Sequence, residues 1–221
     1  DINGETQSAN ENVKVASVSH YIKMDEIKDS FTDEPLKVKV ETKNYNDQNL
    51  NKSYQVKLSK LQPKERVFRN NFENQIQDLP NFSKAEFVQK FPHDYFNKEE
   101  KEWKTEKVLI ENIHQPKDKN QNSNDDYLKS NILDLGSLNA GNYKLELFNI
   151  EGKDTIETEK IFEVFDKRFL TDSQKSFLKV IQLKMEYRRN EKAKIFVYSS
   201  VPNALVNVYL QNGNGETQTE Q

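Results

Sequence analysis

Chemistry in this chain has few places to sit. The three histidines, His20, His93 and His114, each stand alone in sequence. There is no His-x-x-x-His or His-Glu-x-x-His spacing, which would put two imidazoles on one face of a helix to grip a metal. All three are therefore expected to be polar groups at the surface or at strand edges. Phe91-Pro92-His93-Asp94 sets a histidine beside an aspartate, but an acyl-transfer relay also needs a nucleophile placed by the fold. No such residue can be chosen, and a turn after a helix is the expectation. Asp125-Asp126 and the Asn-rich run before them offer oxygen ligands of the kind calcium takes, without the central glycine and terminal glutamate of a calcium loop.

Cysteine is absent, which removes disulfides, thiolate zinc sites and a cysteine nucleophile. Neither Gly-x-Gly-x-x-Gly nor a Gly-Lys-Ser/Thr phosphate cradle occurs; Gly213-x-Gly215 reads as a hairpin turn. The Lys98 to Lys107 run around Trp103 reads as a solvated face with its indole turned inward. The sequence thus nominates no catalytic, cofactor-binding or metal-binding residue, and the chain is read as a non-enzyme without a cofactor.

Composition agrees. Thirty-three basic and 36 acidic residues leave a net charge of −3, without the basic excess of nucleic-acid-binding modules. No apolar run approaches the roughly 20 residues that span a bilayer as a helix. The hydrophobic fraction is only 34%, against about 45–50% in ordinary globular chains, so long solvated loops are expected. Thirteen Phe and nine Tyr nonetheless argue for a packed interior, since disordered chains are poor in aromatics.

The elements that would position any site are strands. Leu36 to Glu41, Tyr54 to Leu58 and Tyr143 to Leu147 alternate apolar and polar residues, the period of a strand with one buried face. The residues assigned to that face are Leu36, Val38, Val40, Tyr54, Val56, Leu58, Tyr143, Leu145 and Leu147. Less regular candidates are Val13 to Ala16, Tyr21 to Met24, Lys107 to Ile110, Lys160 to Phe165, Val180 to Tyr187, Ala193 to Tyr198 and Leu205 to Leu210. Short strands separated by Asn/Asp/Gly clusters predict an all-β, immunoglobulin- or fibronectin-III-like antiparallel sandwich.

Ser83-Lys84-Ala85-Glu86 is a capping box. With Phe87, Val88 and Phe91 before Pro92, it predicts one short helix over Lys84 to Lys90, inside an insertion of about residues 62–131. The polar stretch from Gln115 to Asp126 is expected to be a loop. Ala140-Gly141-Asn142-Tyr143 has two readings: an ordinary turn and strand, or a tyrosine corner whose hydroxyl bonds back to the nearby main chain. Asn149 to Asp154 should form a hairpin.

A weak repeat pairs Asp1-Ile2-Asn3-Gly4-Glu5-Thr6 with Asn149-Ile150-Glu151-Gly152-Lys153-Asp154; a rival pairs Gly4-Glu5-Thr6-Gln7 with Gly215-Glu216-Thr217-Gln218. The first predicts tandem domains of one type; the rival makes the opening an internal hairpin of its domain, and both have the chain start and stop inside domains. The expected division is a closing hairpin of one sandwich at 1–16, a complete sandwich with its insertion at 17–166, and opening strands of another at 167–221, as in a segment of a longer array.

Four stretches carry a resemblance. They are Asp1 to Ala9, Pro63-Lys64-Glu65-Arg66-Val67-Phe68-Arg69, Ser83 to Asp94, and Leu138 to Tyr143, continuing through Phe162-Glu163-Val164-Phe165-Asp166. In this order they resemble a macroglobulin-like domain segment of bacterial alpha-2-macroglobulin family proteins, of the Bacteroidetes type. The resemblance implies a structural module of a large protease-trapping endopeptidase inhibitor in the periplasm or at the outer membrane. Its implied partners are neighbouring macroglobulin-like domains and, for the whole protein, proteases. The family's Cys-x-x-Gln thioester has no counterpart here, so no functional residue carries over. The competing expectation is an immunoglobulin-like repeat of a surface adhesin or glycan-binding protein.

Overall fold

A computed structural model describes residues 17–28, 30–50, 52–69, 81–115, 131–166, 175–182, 188–189, 191–192, 195–211 and 217–220. The chain divides into two compact units, Asp1–Lys60 with Glu106–Lys167, and Leu61–Thr105 with Arg168–Gln221.

The first unit is a pair of β-sheets. One is built on β3 (Lys37–Lys43), which pairs antiparallel with β1 (Tyr21–Met24) on one side; β4 (Asn49–Leu50) and β7 (Ile132–Asp134) also pair with it, antiparallel. The other has the order β2-β9-β8-β5-β6, with β2 at Ser30–Phe31, β5 at Tyr54–Leu61, β6 at Thr105–His114, β8 at Gly141–Glu151 and β9 at Asp154–Phe165. All its described ladders are antiparallel except the short β2–β9 pairing, which is parallel.

Alternation explains the packing. Burial along β3 switches at every residue, as it does along β8 from Gly141 to Phe148. The inward residues of the two sheets meet in one core: Ile22, Met24, Val38, Val40 and Leu133 from one, Tyr54, Val56, Leu58, Tyr143, Leu145, Leu147, Ile156, Phe162 and Val164 from the other. Leu36 is partly buried against this core from just before β3. Each large side chain so buried contributes roughly 1.5–3 kcal/mol.

The β8–β9 hairpin turns at Gly152 and Lys153, between the paired Glu151 and Asp154. Gly152 has φ +64°, the left-handed value that a two-residue hairpin turn requires and that glycine adopts without strain. At the other end of β8 the Tyr143 hydroxyl donates to the Asn139 carbonyl at 2.8 Å. The corner reading of the two offered by the sequence is therefore the geometry found, and the ring stacks on Phe162 with centroids 5.7 Å apart.

The second unit contains α1 (Lys84–Lys90), α2 (Lys98–Lys101) and two antiparallel ribbons. The ribbons are β10 (Lys179–Gln182) with β11 (Ile195–Tyr198), and β12 (Val208–Gln211) with β13 (Thr217–Glu220). Helix α1 has the capping box: Ser83 Oγ accepts from Glu86 N–H at 3.3 Å and Glu86 accepts from Ser83 N–H at 2.9 Å.

Some sequence expectations need revising. Within the 62–131 stretch, β6 is a strand of the larger sheet, and Leu61–Thr105 is grouped with the second unit. The strand expected at Leu205 begins at Val208. Strands β2, β4 and β7, of two or three residues, are too short to show a period. The proposed strand Val13 to Ala16, the first copy of the repeat, Asp125-Asp126, and Gly213 and Gly215 lie outside the described residues.

Candidate functional site

Among the described residues of the first unit, a dense polar constellation gathers on Glu151, at the β8–β9 turn. Its carboxylate accepts from Ser19 N–H at 3.0 Å, from Ser19 O–H at 2.7 and 2.8 Å, and from Lys52 Nζ at 2.9 Å. Lys52 Nζ also donates to Ser19 Oγ at 2.9 Å. Hydrogen bonds from Ser19, joined by Lys52, hold the Glu151 carboxyl down to about 2. Next to Ser19, His20 is 1% exposed. Its Nδ1 lies 3.0 Å from Ser19 Oγ and 3.5 Å from Glu151. Burial, reinforced by the Lys52 charge, lowers the His20 pKa below its usual value despite the opposing pull of Glu151.

A serine, a histidine and a carboxylate in contact invite comparison with a nucleophilic triad, and the geometry answers it. A triad histidine uses one ring nitrogen for the hydroxyl and the other for the carboxylate. Here both partners address Nδ1, while Nε2 is buried without a hydrogen-bond partner among the described residues. The serine proton is directed at a carboxylate held near 2, which is a very weak base at neutral pH. What the arrangement can do is fasten: it ties Ser19 ahead of β1 and Lys52 ahead of β5 to the β8–β9 turn.

The second unit has a matching cluster on Glu100. Its carboxylate receives Arg66 Nη2 at 2.6 Å, Lys84 Nζ at 3.0 Å and Phe96 N–H at 2.9 Å. Although burial opposes ionisation, these donors keep its pKa below the usual carboxylate value. Arg66 also donates to the Pro92 and Asp94 carbonyls at 2.9 and 3.1 Å. Lys64 Nζ donates to the carbonyls of Glu100, Lys101 and Glu102 at 2.7, 3.0 and 2.6 Å, capping the C-terminal end of α2 where the helix dipole favours a cation. The same ammonium lies 4.6 Å from the centre of the half-buried Trp103 ring. Of these, Lys64, Arg66, Lys84, Glu100 and Glu102 line a cleft of about 170 Å³. Arg66 and Lys64 spend their hydrogen bonds on Glu100 and the main chain, and Glu100 takes a further ion pair from Lys84.

The sequence-nominated positions fall as follows. Val38, Val40, Tyr54, Val56, Leu58, Tyr143, Leu145 and Leu147 are at most 4% exposed in the first unit's core. His20, expected at the surface or at a strand edge, stands just ahead of β1 and is buried rather than exposed. His93 bonds the Val67 carbonyl through Nδ1 at 2.9 Å and meets Phe177 edge-on, while Asp94 pairs with Arg69. His114 stacks on Tyr54 with centroids 5.0 Å apart. Sequence reasoning missed the Ser19–Lys52–Glu151 latch, whose members are 33 and 99 residues apart and share no motif. Among the described residues no group of three or more His, Cys, Asp or Glu side chains is placed to hold a metal ion. Nor is any helix there long and apolar enough to cross a membrane.

Comparison with known proteins finds no matching family model, no similar curated protein and no similar solved structure.

Proposed function

We propose that this chain is a non-catalytic structural module of a large bacterial alpha-2-macroglobulin-like protein, a protease-trapping inhibitor of the periplasm or outer membrane. The observation that carries the reading is the use of charge. The two most connected polar clusters, on Glu151 and on Glu100, clamp the chain to itself. That is the economy of a rigid spacer, which must transmit position rather than turn over a substrate. The paired sheets and the Tyr143 corner suit a macroglobulin-like sandwich of the immunoglobulin or fibronectin-III type. In this reading the exposed apolar side chains of the ribbons, such as Val180, Phe196 and Tyr209, are covered by neighbouring macroglobulin-like domains of the same chain.

The test uses the whole parent protein. A caged protease loses access to large substrates but keeps its active site open to small ones. Incubation with the intact protein should therefore suppress cleavage of a protein substrate while sparing a short chromogenic peptide. Equal activity on both substrates, with no protease retained, overturns the inhibitor. The rival reading, a repeat of a surface adhesin or glycan-binding protein, shares the sandwich. Near-identical repeats and a sorting domain around this segment would favour it; a downstream Cys-x-x-Gln segment would favour the inhibitor.

A further inference from the structure

Strand β6 ends the larger sheet: it pairs with β5, and no other described strand pairs with it. It is ten residues long, and all of it except Ile110 and His114 is exposed. Val108 and Leu109 are each 40% exposed and Ile113 60%. A long apolar strand with one free edge is a template for further pairing, and proteins usually blunt such edges.

The sequence of this edge is complementary to itself. Lys107-Val108-Leu109-Ile110-Glu111 places a cation and an anion symmetrically about Leu109. In an antiparallel pairing of two copies centred there, Lys107 of each chain stands opposite Glu111 of the other. Leu109 meets Leu109, and Val108 meets Ile110. Lys107, Leu109 and Glu111 share one face of the strand, so the charges meet as direct cross-strand neighbours. Neither Lys107 nor Glu111 has an ion-pair partner among the described residues, whereas Glu106, on the other face, is engaged by Lys60 at 3.3 Å.

Main-chain polarity suits the same register. The Lys60–Glu106 ion pair and the Tyr54–His114 stack show that β5 and β6 run antiparallel. The Gln62 N–H to Lys104 carbonyl bond turns the polar groups of Lys104 toward β5. Counting by twos gives Leu109 the opposite parity, which turns its N–H and C=O toward the free edge. A two-fold axis at Leu109 then makes it the central hydrogen-bonded pair of a new ladder.

We propose that β6 is a self-association edge, on which a second copy of this chain pairs antiparallel in the Leu109-centred register and joins two five-stranded sheets into one. Only a narrow strip is buried, so the dimer is weak and concentration-dependent.

Sedimentation velocity on the 221-residue chain, over a concentration series reaching the millimolar range, tests this. The unaltered chain should dimerise. Lys107→Glu sets Glu against Glu, and Glu111→Lys sets Lys against Lys; each should weaken the dimer roughly tenfold. Both side chains are exposed, so circular dichroism and melting temperature should stay unchanged. The double variant Lys107→Glu/Glu111→Lys should restore the dimer, and an equimolar mixture of the two single variants should form a heterodimer. A chain monomeric throughout overturns the proposal. So does a dimer indifferent to both reversals, which would lie on another surface, or a mixture that fails to pair.

Discussion

The paired-sheet unit and the 61–105 excursion are held together by different physics. In the sheets, cohesion comes from apolar side chains of two facing layers, and main-chain groups are satisfied by the ladders. The excursion has two short helices without a single buried residue. It is held by long cationic side chains that reach main-chain carbonyls, with aromatic contacts such as Phe68 on Tyr95 and Phe87 on Phe91 and Phe96. The first scheme is cooperative, because removing one side chain opens a cavity bordered by both sheets. The second is local: Arg66 and Lys64 are staples, and losing one frees the segment it holds.

Substitutions at four positions, and a change of pH, would break or sharpen that contrast. The largest effect is expected from Leu145→Ala, which removes a fully buried side chain and should cost about 2–5 kcal/mol; urea denaturation measures it, and an unchanged midpoint would refute the assignment of the core face. Next comes Arg66→Ala, which leaves two carbonyls and part of Glu100 without their donor, a loss of about 1–3 kcal/mol. The loss should be confined to the excursion, so hydrogen exchange should quicken over residues 84–104 while Tyr143 to Leu147 keep their protection. Equal loss in both would erase the distinction between staple and core. Arg66→Lys keeps the charge but not the fork and should fall between.

Gly152→Ala is a smaller perturbation. A Cβ there meets nothing within 4 Å, so the cost is conformational alone, about 1–2 kcal/mol for an L-residue held in the left-handed region; Gly152→Asn should cost less. The gentlest probe is pH. His20 is held below its usual value of 6.5, so the unfolded chain takes up the proton first and stability falls as pH drops below 6.5. Glu151 is depressed from 4.5 to about 2, so its contribution is complete above pH 4.5 and lost as pH falls from there toward 2. His20→Phe should flatten the upper step and leave the lower one. A single acid transition unaffected by that change would remove His20 from the account.

The same contrast decides what could be read from sequence. Period-two strands announce themselves because each residue's environment depends on its neighbours one and two places away, so β3 was legible nearly to its ends and the central parts of β5 and β8 were legible too, while β1 was placed from a less regular pattern. The capping box marked α1 for a similar reason, since its two hydrogen bonds span only three residues. Strand β6 was under-read: few of its side chains are buried, so no amphipathic signal extends over its full length. The Glu151 latch and the Arg66 staple were invisible. Their partners are brought together by the fold, and nothing in Ser19, Lys52 or Arg66 alone distinguishes them from ordinary surface residues. Histidine is a residue type of intermediate burial, so nothing in the sequence marks His20 as interior; its burial depends on strands from distant parts of the chain.

The latch also has a mechanical meaning. Ser19 stands immediately ahead of β1, so tension applied to the chain on its N-terminal side is shared between the short β1 ladder and the carboxylate at the β8–β9 turn. The corner is gripped at two points on different sheets, and peeling β1 away first requires breaking the hydrogen bonds that Ser19 makes with the Glu151 carboxylate and the Lys52 ammonium. Salt screens such exposed contacts. A single-molecule pull should therefore find the first yield force falling with ionic strength, while the buried core behind it resists as before.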